Sequence, residues 1–288
     1  MSKSQPERPS SRAKPFLKWA GGKSRIASTI CELFPVNFND YYEPFLGSGA
    51  VYFKISHQSG VLNDANKKLI MTYKAIKKDP EALIREMSKM ETEYNSFSNL
   101  EEKKKYYYKI REKFNSNNNT SKMPAQFIFL NKAGWNGMYR ENSKGEFNIP
   151  FGKREVIKIF DEDTILKVSK DLQRITFKCG DYKNAVLNAK SGDLIYFDPP
   201  YIPLSKTSFT DYQKDGFGKK EQIELRDLAI ELSERGCYVA ISNSDCDESR
   251  KLYEGFHIKK IPIMRTIGAK NASRKKITEI LATNYCKK

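Results

Sequence analysis

Histidine is nearly missing from this chain, with only His57 and His257 in 288 residues. The five cysteines (Cys31, Cys179, Cys237, Cys246 and Cys286) form no CxxC pair and keep no regular spacing. This argues against a zinc centre of the usual Cys/His kind, no metal is expected, and the scattered thiols point to a reducing cytoplasm. No apolar run approaches the length of a membrane span, and Met1–Lys14 lacks the apolar core of a secretion signal. The chain contains no GxGxxG, which argues against a nicotinamide dinucleotide, and no GxxxxGKS/T, which removes the usual P-loop. Acidic residues are also short, 35 against 51 lysines and arginines, for a formal net charge of +16.

A positive surplus of that size gathers polyanions and speeds their association. The lysines and arginines are interleaved with Tyr, Phe, Trp and Asn instead of being confined to a tail, so nucleic acid is the expected partner. A charge that serves solubility alone is the plainer alternative.

The most informative stretch is Leu194-Ile195-Tyr196-Phe197-Asp198-Pro199-Pro200-Tyr201. The first four residues read as a strand buried in a parallel sheet, and the two prolines forbid its continuation. An acidic side chain, a stiff backbone with free carbonyls and an aromatic ring thus stand at the carboxyl end of a strand, where open α/β sheets bind ligands. That set suits methylation of a planar exocyclic amine. The amine's lone pair is delocalised into its ring, and two acceptors, the Asp198 carboxylate and the Pro199 carbonyl, would take its two N–H hydrogens and localise the pair on nitrogen. Prolines fix those acceptors in advance. Tyr201 can stack on the ring. No strong base is required, so Asp198 is read as an acceptor. The competing reading is a strand followed by a proline turn with Asp198 as a cap.

Short strands bracket the chain: 40–45, 61–64, 175–179, 194–197, 237–242, 257–264 and 277–285, with helices expected over 50–58 and 219–235. Such alternation predicts an α/β, Rossmann-like, mostly parallel sheet. The middle block differs. Residues 82–114 are dense in Lys, Glu and Tyr with helical periodicity, 115–122 form a low-complexity loop, and 127–152 are rich in Gly, Asn and aromatics. The expected organisation is a disordered tail over 1–14, a catalytic domain from 15–70 and 160–288, and an inserted target-recognition domain over 71–159.

Glu43-Pro44-Phe45-Leu46-Gly47-Ser48-Gly49 reads as a strand-to-helix turn passing close under a ligand, with Phe45, Gly47 and Gly49 as candidate contacts. Asp64 ends the next strand, where a carboxylate can accept both hydroxyls of a ribose, so an adenosine-containing ligand is expected. Upstream, Phe16-Leu17-Lys18-Trp19-Ala20-Gly21-Gly22-Lys23 offers a glycine pair and Lys23, suited to a ligand carboxylate such as that of a methionine moiety. Trp19 alone would be read as core.

Taken together and in this order, FLKWAGGK (16–23), EPFLGSG (43–49), LNDAN (62–66), NGMYRENSKGEFNIPFG (136–152), GDLIYFDPPY (192–201) and the end at 273–285 resemble the Dam-type DNA adenine-N6 methyltransferases. The resemblance implies a class I methyltransferase fold with a helical insertion, S-adenosylmethionine as methyl donor, double-stranded DNA as substrate, a flipped target adenine and recognition of GATC. It implies that Trp19, Lys23, Asp64 and Asp198 contact the donor, with Asp181 near its adenine or serving as a turn carboxylate. On the DNA side it implies that Arg140 and Lys18 read guanines, Met138 makes an apolar base contact and Pro150 meets the thymine methyl. Trp135 and Asn136 would fill the space left by the flipped base. Tryptophan stands here where tyrosine is common in the family, and methionine where leucine is common. Lys270, Arg274, Lys275 and Lys276 are read as phosphate contacts or as a solvated loop. A monomeric, cytoplasmic enzyme of bacterial or phage type is expected.

Three alternatives stay open on the sequence. They are amino methylation at another DNA sequence or at cytosine N4, a glutamine-directed protein methyltransferase, and a DNA-binding module without activity. Asp198 and the basic insertion disfavour the second; intact Asp198, Tyr201, Gly47 and Gly49 disfavour the third.

Overall fold

A computed structural model of the chain describes residues 13–57, 59–116, 121–203, 217–263 and 277–286. Residues 1–12 of the expected tail, 117–120 of the low-complexity loop, and Lys270, Arg274, Lys275 and Lys276 lie outside the described residues. The described chain divides into two compact units, one of residues 13–20, 48–56 and 72–173, the other of 21–47, 57–71 and 174–286. The helical middle block thus groups with the segment around Lys18 and with the helix that follows Gly49.

The second unit is built on strands β1 (Tyr41–Glu43), β2 (Gly60–Asp64), β3 (Ile175–Cys179), β4 (Leu194–Phe197), β5 (Tyr238–Ser244), β6 (His257–Ile263) and β7 (Ile277–Thr283). They form a seven-stranded sheet in the order β3-β2-β1-β4-β5-β7-β6. Strands β1 to β5 pair in parallel, while β7 runs antiparallel to both β5 and β6. This is the mixed α/β arrangement with a mostly parallel sheet expected from the sequence. Its consequence is positional: the carboxyl ends of β1, β2, β3, β4 and β5 share one edge of the sheet.

The ten helices of the described residues are α1 (Ala27–Glu32), α2 (Ala50–Ile55), α3 (Lys67–Lys78), α4 (Pro80–Ser96), α5 (Leu100–Ser116), α6 (Met123–Ala133), α7 (Glu162–Asp171), α8 (Tyr182–Ala185), α9 (Lys219–Glu234) and α10 (Asp247–Leu252). Sheet side chains alternate between faces, as a period of two requires. Tyr42, Ile195, Phe197, Val239, Ile241 and Ile280 pack with Tyr182, Leu225, Ala229, Leu232 and Tyr253 of the helical side. On the opposite face the rings of Tyr41 and Tyr196 meet Phe34, which follows α1.

The stretch 82–114, expected to be helical from its periodicity, falls in two helices, α4 and α5. Phe97 leaves α4 in an extended conformation (φ −69°, ψ 135°), and Asn99 restarts the chain by accepting the Glu102 N–H at 3.0 Å. Helix α6 was not evident in sequence because it is buried on nearly every side, so no amphipathic period marks it. Tyr94, Tyr106, Tyr107, Phe129 and Phe151 form the aromatic centre of this unit. From Met138 to Asp161 the backbone is mostly irregular, and asparagines satisfy its polar groups. Asn115 exchanges two hydrogen bonds with the Phe147 backbone (3.0 and 2.9 Å) and Asn95 two with Ile157 (2.9 and 3.0 Å). No helix of the described residues is long and apolar enough to cross a membrane.

Candidate functional site

Strand β4 ends at Phe197, and Asp198 is the first residue beyond the sheet edge. Its Oδ1 lies 2.9 Å from Lys23 Nζ, the two side chains being 18 % and 7 % exposed. Lys23 also donates to the Gly21 carbonyl at 2.8 Å, and its ammonium stands 4.6 Å from the centroid of the Tyr201 ring. Tyr201 in turn donates its hydroxyl to Glu279 Oε2 at 2.8 Å. Burial pushes the Asp198 carboxyl above the ordinary carboxylate range, and the lysine beside it pulls the other way. Burial likewise raises Glu279.

The backbone of this turn is fixed by residues that sequence reasoning passed over. Gln222 Nε2 donates to the Pro200 carbonyl at 2.7 Å. Asn243 Oδ1 accepts the Ile202 N–H at 3.0 Å, and Ser244 Oγ donates to the Ile202 carbonyl at 2.5 Å. Asn243, fully buried, also donates to Gln222 Oε1 at 3.1 Å. The only sequence signal was the polar run Ser242-Asn243-Ser244 closing an apolar strand. With Pro200 committed to Gln222, the Pro199 carbonyl has no hydrogen-bond partner among the described residues, and it is the acceptor next to Asp198.

At the neighbouring strand ends, Gly47 (φ 50°) and Gly49 (φ 66°) both take the left-handed region that glycine allows. The Gly47 N–H is donated to Asp64 Oδ2 at 2.9 Å, and the Asn66 N–H to Asp64 Oδ1 at 2.9 Å. Each oxygen keeps acceptor capacity after these bonds. Burial raises the Asp64 carboxyl against both. Asn63, another residue missed in sequence, ties the two turns by donating to the Pro44 carbonyl (2.9 Å) and the Gly180 carbonyl (3.0 Å). Phe45 stacks on Tyr182 with ring centroids 5.1 Å apart. Asp181 is exposed and caps α8, accepting the Lys183 N–H at 2.9 Å.

These groups suit an adenosine-containing cation. Asp64 has lone pairs left for ribose hydroxyls, and Asp198 Oδ1 is buried beside Lys23 without a well-aligned hydrogen bond. Asp198 and Glu279 set two carboxyl groups against one lysine, Lys23. Among the described residues no group of side chains is arranged to hold a metal.

The other candidates fall in the first unit, as do Trp19 and Gly49. Trp19 stacks on Tyr139 at 5.3 Å and also meets Phe127. Asn131, buried in α6, accepts the Lys18 N–H (3.0 Å) and donates to the carbonyls of Lys18 (2.8 Å) and Gly137 (2.9 Å). One amide therefore binds the Lys18 segment to the Trp135–Met138 turn. Gly137 suits this turn because its φ of 66° is one that side chains rarely adopt, and an added Cβ would also come 2.5 Å from Lys18 Cδ. Lys18, Trp135, Asn136, Met138, Arg140 and Pro150 are all exposed, Trp135 to 50 % and Met138 to 43 %. Asn136 has φ 53°, and the Pro150 carbonyl accepts the Trp135 N–H at 2.9 Å. Arg140 Nε donates to Asn148 Oδ1 at 2.9 Å, which steadies the guanidinium.

The sequence model of the D12 class N6 adenine-specific DNA methyltransferases matches residues 19–267 of this chain. The Type II methyltransferase M.MjaIII of Methanocaldococcus jannaschii is 44 % identical over 287 residues, covering 94 % of this chain and 99 % of that protein. The Type II methyltransferase M1.LlaDCHI of Lactococcus lactis subsp. cremoris is 41 % identical over 280 residues, covering 94 % and 95 %. The DNA adenine methylase of Escherichia coli is 32 % identical over 268 residues, covering 93 % and 94 %.

Proposed function

Because this chain belongs to the D12 class of N6 adenine-specific DNA methyltransferases, we propose that it methylates adenine within GATC in double-stranded DNA, with Asp198, Pro199 and Tyr201 as its catalytic residues. The observation that carries the assignment is the Asp198 carboxylate beside the Pro199 carbonyl, at the end of a buried parallel strand and held by Lys23.

The methyl donor of such an enzyme is S-adenosylmethionine, which when bound supplies an electrophilic methyl on a sulfonium. We assign its binding to Trp19, Lys23, Phe45, Gly47, Gly49, Asp64 and Asp198, with Asp181 at its adenine. The remaining work belongs to side chains of the protein. Asp198 and the Pro199 carbonyl accept the two N–H hydrogens of the amine, which turns the lone pair out of the ring plane. Preorganised acceptors of this kind cost no rearrangement at the moment of reaction. Tyr201 offers its ring to the base.

The amine is buried in a base pair, so the nucleotide must leave the stack at a cost of a few kcal/mol. Trp135 and Asn136 would offset that cost by taking its place. Arg140 and Lys18 would read guanines, Met138 a base face and Pro150 the thymine methyl. Support for this reading is the exposure of all six on one unit and the charge of +16. We further infer a cytoplasmic monomer in which residues 71–159 recognise DNA and residues 15–70 with 160–288 carry catalysis.

Transfer of labelled methyl from S-adenosylmethionine to duplexes that differ by one base within GATC tests the assignment. Incorporation confined to the intact sequence supports it; equal incorporation into altered duplexes would reject GATC.

A further inference from the structure

We propose that Glu279 is a positioning residue for Tyr201, holding the tyrosine ring where it meets the target base. The inference rests on the role given to Tyr201 above.

Glu279 is an unexpected side chain for its strand. Along β7 it precedes Ile280, Leu281 and Ala282, all fully buried. Its register partners are Ser244 of β5 and Ile261 of β6. A carboxylate partly removed from water at such a place is costly unless it is bonded. The bond it makes is to the Tyr201 hydroxyl at 2.8 Å.

The tyrosine needs that bond. The two prolines stiffen the backbone before Tyr201 but do nothing for its own side-chain torsions. The ring is instead held from two directions: the Lys23 ammonium stands 4.6 Å from its centroid, and Glu279 anchors the hydroxyl, which also lies beside Asp198. The face opposite Lys23 is assigned to the base. A base stacked there is delivered to Asp198 and Pro199 at a height and angle set by the ring. Both N–H hydrogens must reach acceptors together, so a ring that tilts loses one of them, and misplacement on the order of 1 Å can cost about a hundredfold in rate. Glu279 bonds to Tyr201 and shares the field of Lys23 and Asp198. Its effect is assigned to the bond, and Glu279→Gln, which removes the charge and keeps an acceptor, separates the two.

The test compares full-length wild type with Glu279→Ala, Glu279→Gln, Tyr201→Phe, Tyr201→Ala and the Glu279→Ala/Tyr201→Phe double variant. Single-turnover methyl transfer is measured on a GATC duplex. Emission is measured from bound duplexes carrying 2-aminopurine at the target position. Loss of one anchoring hydrogen bond should slow transfer about tenfold in both Glu279→Ala and Tyr201→Phe. The double variant should be no slower than Tyr201→Phe alone, since without the hydroxyl Glu279 has no bond left to lose. Glu279→Gln, which still accepts from the hydroxyl, should restore most of the rate. The 2-aminopurine emission should shift equally in the two single variants, with DNA affinity unchanged. Additive losses in the double variant, or wild-type rate and emission in Glu279→Ala, would overturn the proposal. Should Glu279→Ala not fold, Tyr201→Phe removes the same bond from the other end, and wild-type rate and emission there would overturn the proposal. Full activity in Tyr201→Ala would instead remove the base-platform role of Tyr201 itself, and the inference with it.

Discussion

Lys23 and Asp198 form a buried ion pair, Nζ to Oδ1 at 2.9 Å, joining the glycine-rich segment near the start of the chain to the end of β4. Burial raises the Asp198 carboxyl above the ordinary carboxylate range, and the lysine beside it acts against that shift. If Asp198 is the amine acceptor proposed above, its ionisation, and with it this pair, should set the acid side of the pH range.

The first expectation concerns that range. Asp198 is raised by burial and lowered by Lys23, so activity should fall as pH drops through a value above the ordinary carboxylate range. Lys23→Gln removes the lowering influence and should move this acid limb upward. Stability follows the same sign. A carboxyl raised in the folded state favours folding fully below its unfolded value and loses that contribution as pH rises through the folded one. The melting temperature of Lys23→Gln should therefore drop more at neutral than at mildly acidic pH. Breaking a buried pair commonly costs about 3–5 kcal/mol. A pH–rate profile and thermal melts across pH check both points, and an unmoved acid limb would contradict them.

Asn243 offers a second check. It accepts the Ile202 N–H and donates to Gln222, which holds the Pro200 carbonyl. Asn243→Ala strands these buried groups and should destabilise by about 1–3 kcal/mol for an unsatisfied group. Single-turnover transfer should slow while DNA affinity, measured by fluorescence anisotropy, stays near that of the wild type.

The legibility of these two sites in sequence was unequal. Strands β3 and β4 were plain, with their limits at 175–179 and 194–197, because each is a short apolar or β-branched run stopped by glycine or proline. Asp198 and Asp64 were legible for the same reason: each is a carboxylate placed where such a run stops. Asn243, Gln222 and Glu279 were not. Their importance comes from contacts across distant parts of the chain, such as Tyr201 to Glu279, that no local pattern encodes. Asn131 escaped notice because it lies in a helix whose burial erases periodicity. Met138 and Arg140 were reached through family resemblance alone, since exposed residues in irregular backbone carry no periodic signal.

Arg140 supplies a third expectation. Its Nε is held by Asn148, so the two terminal nitrogens are the fork that remains for a guanine edge. Arg140→Ala should lower discrimination at one guanine by about 1–3 kcal/mol, the usual worth of a bidentate base contact. Asn148→Ala should do the same in lesser degree. Competition binding with single-base variants measures this. Equal losses on cognate and unrelated DNA would place Arg140 on the phosphates.

Asp64 yields a fourth. Its carboxylate bridges the N–H groups of Gly47 and Asn66 and keeps lone pairs for two hydroxyls. Asp64→Ala should weaken S-adenosylmethionine binding by about tenfold or more, as expected for lost charge-assisted hydrogen bonds. Calorimetric titration of the donor without DNA reads this directly, and unchanged affinity would contradict the assignment.

The decisive measurement is single-turnover methyl transfer by Asp198→Ala to a GATC duplex at saturating donor, with DNA binding followed in the same sample. Loss of an oriented acceptor should slow transfer by roughly 10²–10³ while binding persists. Transfer at the wild-type rate would show that the amine is activated elsewhere.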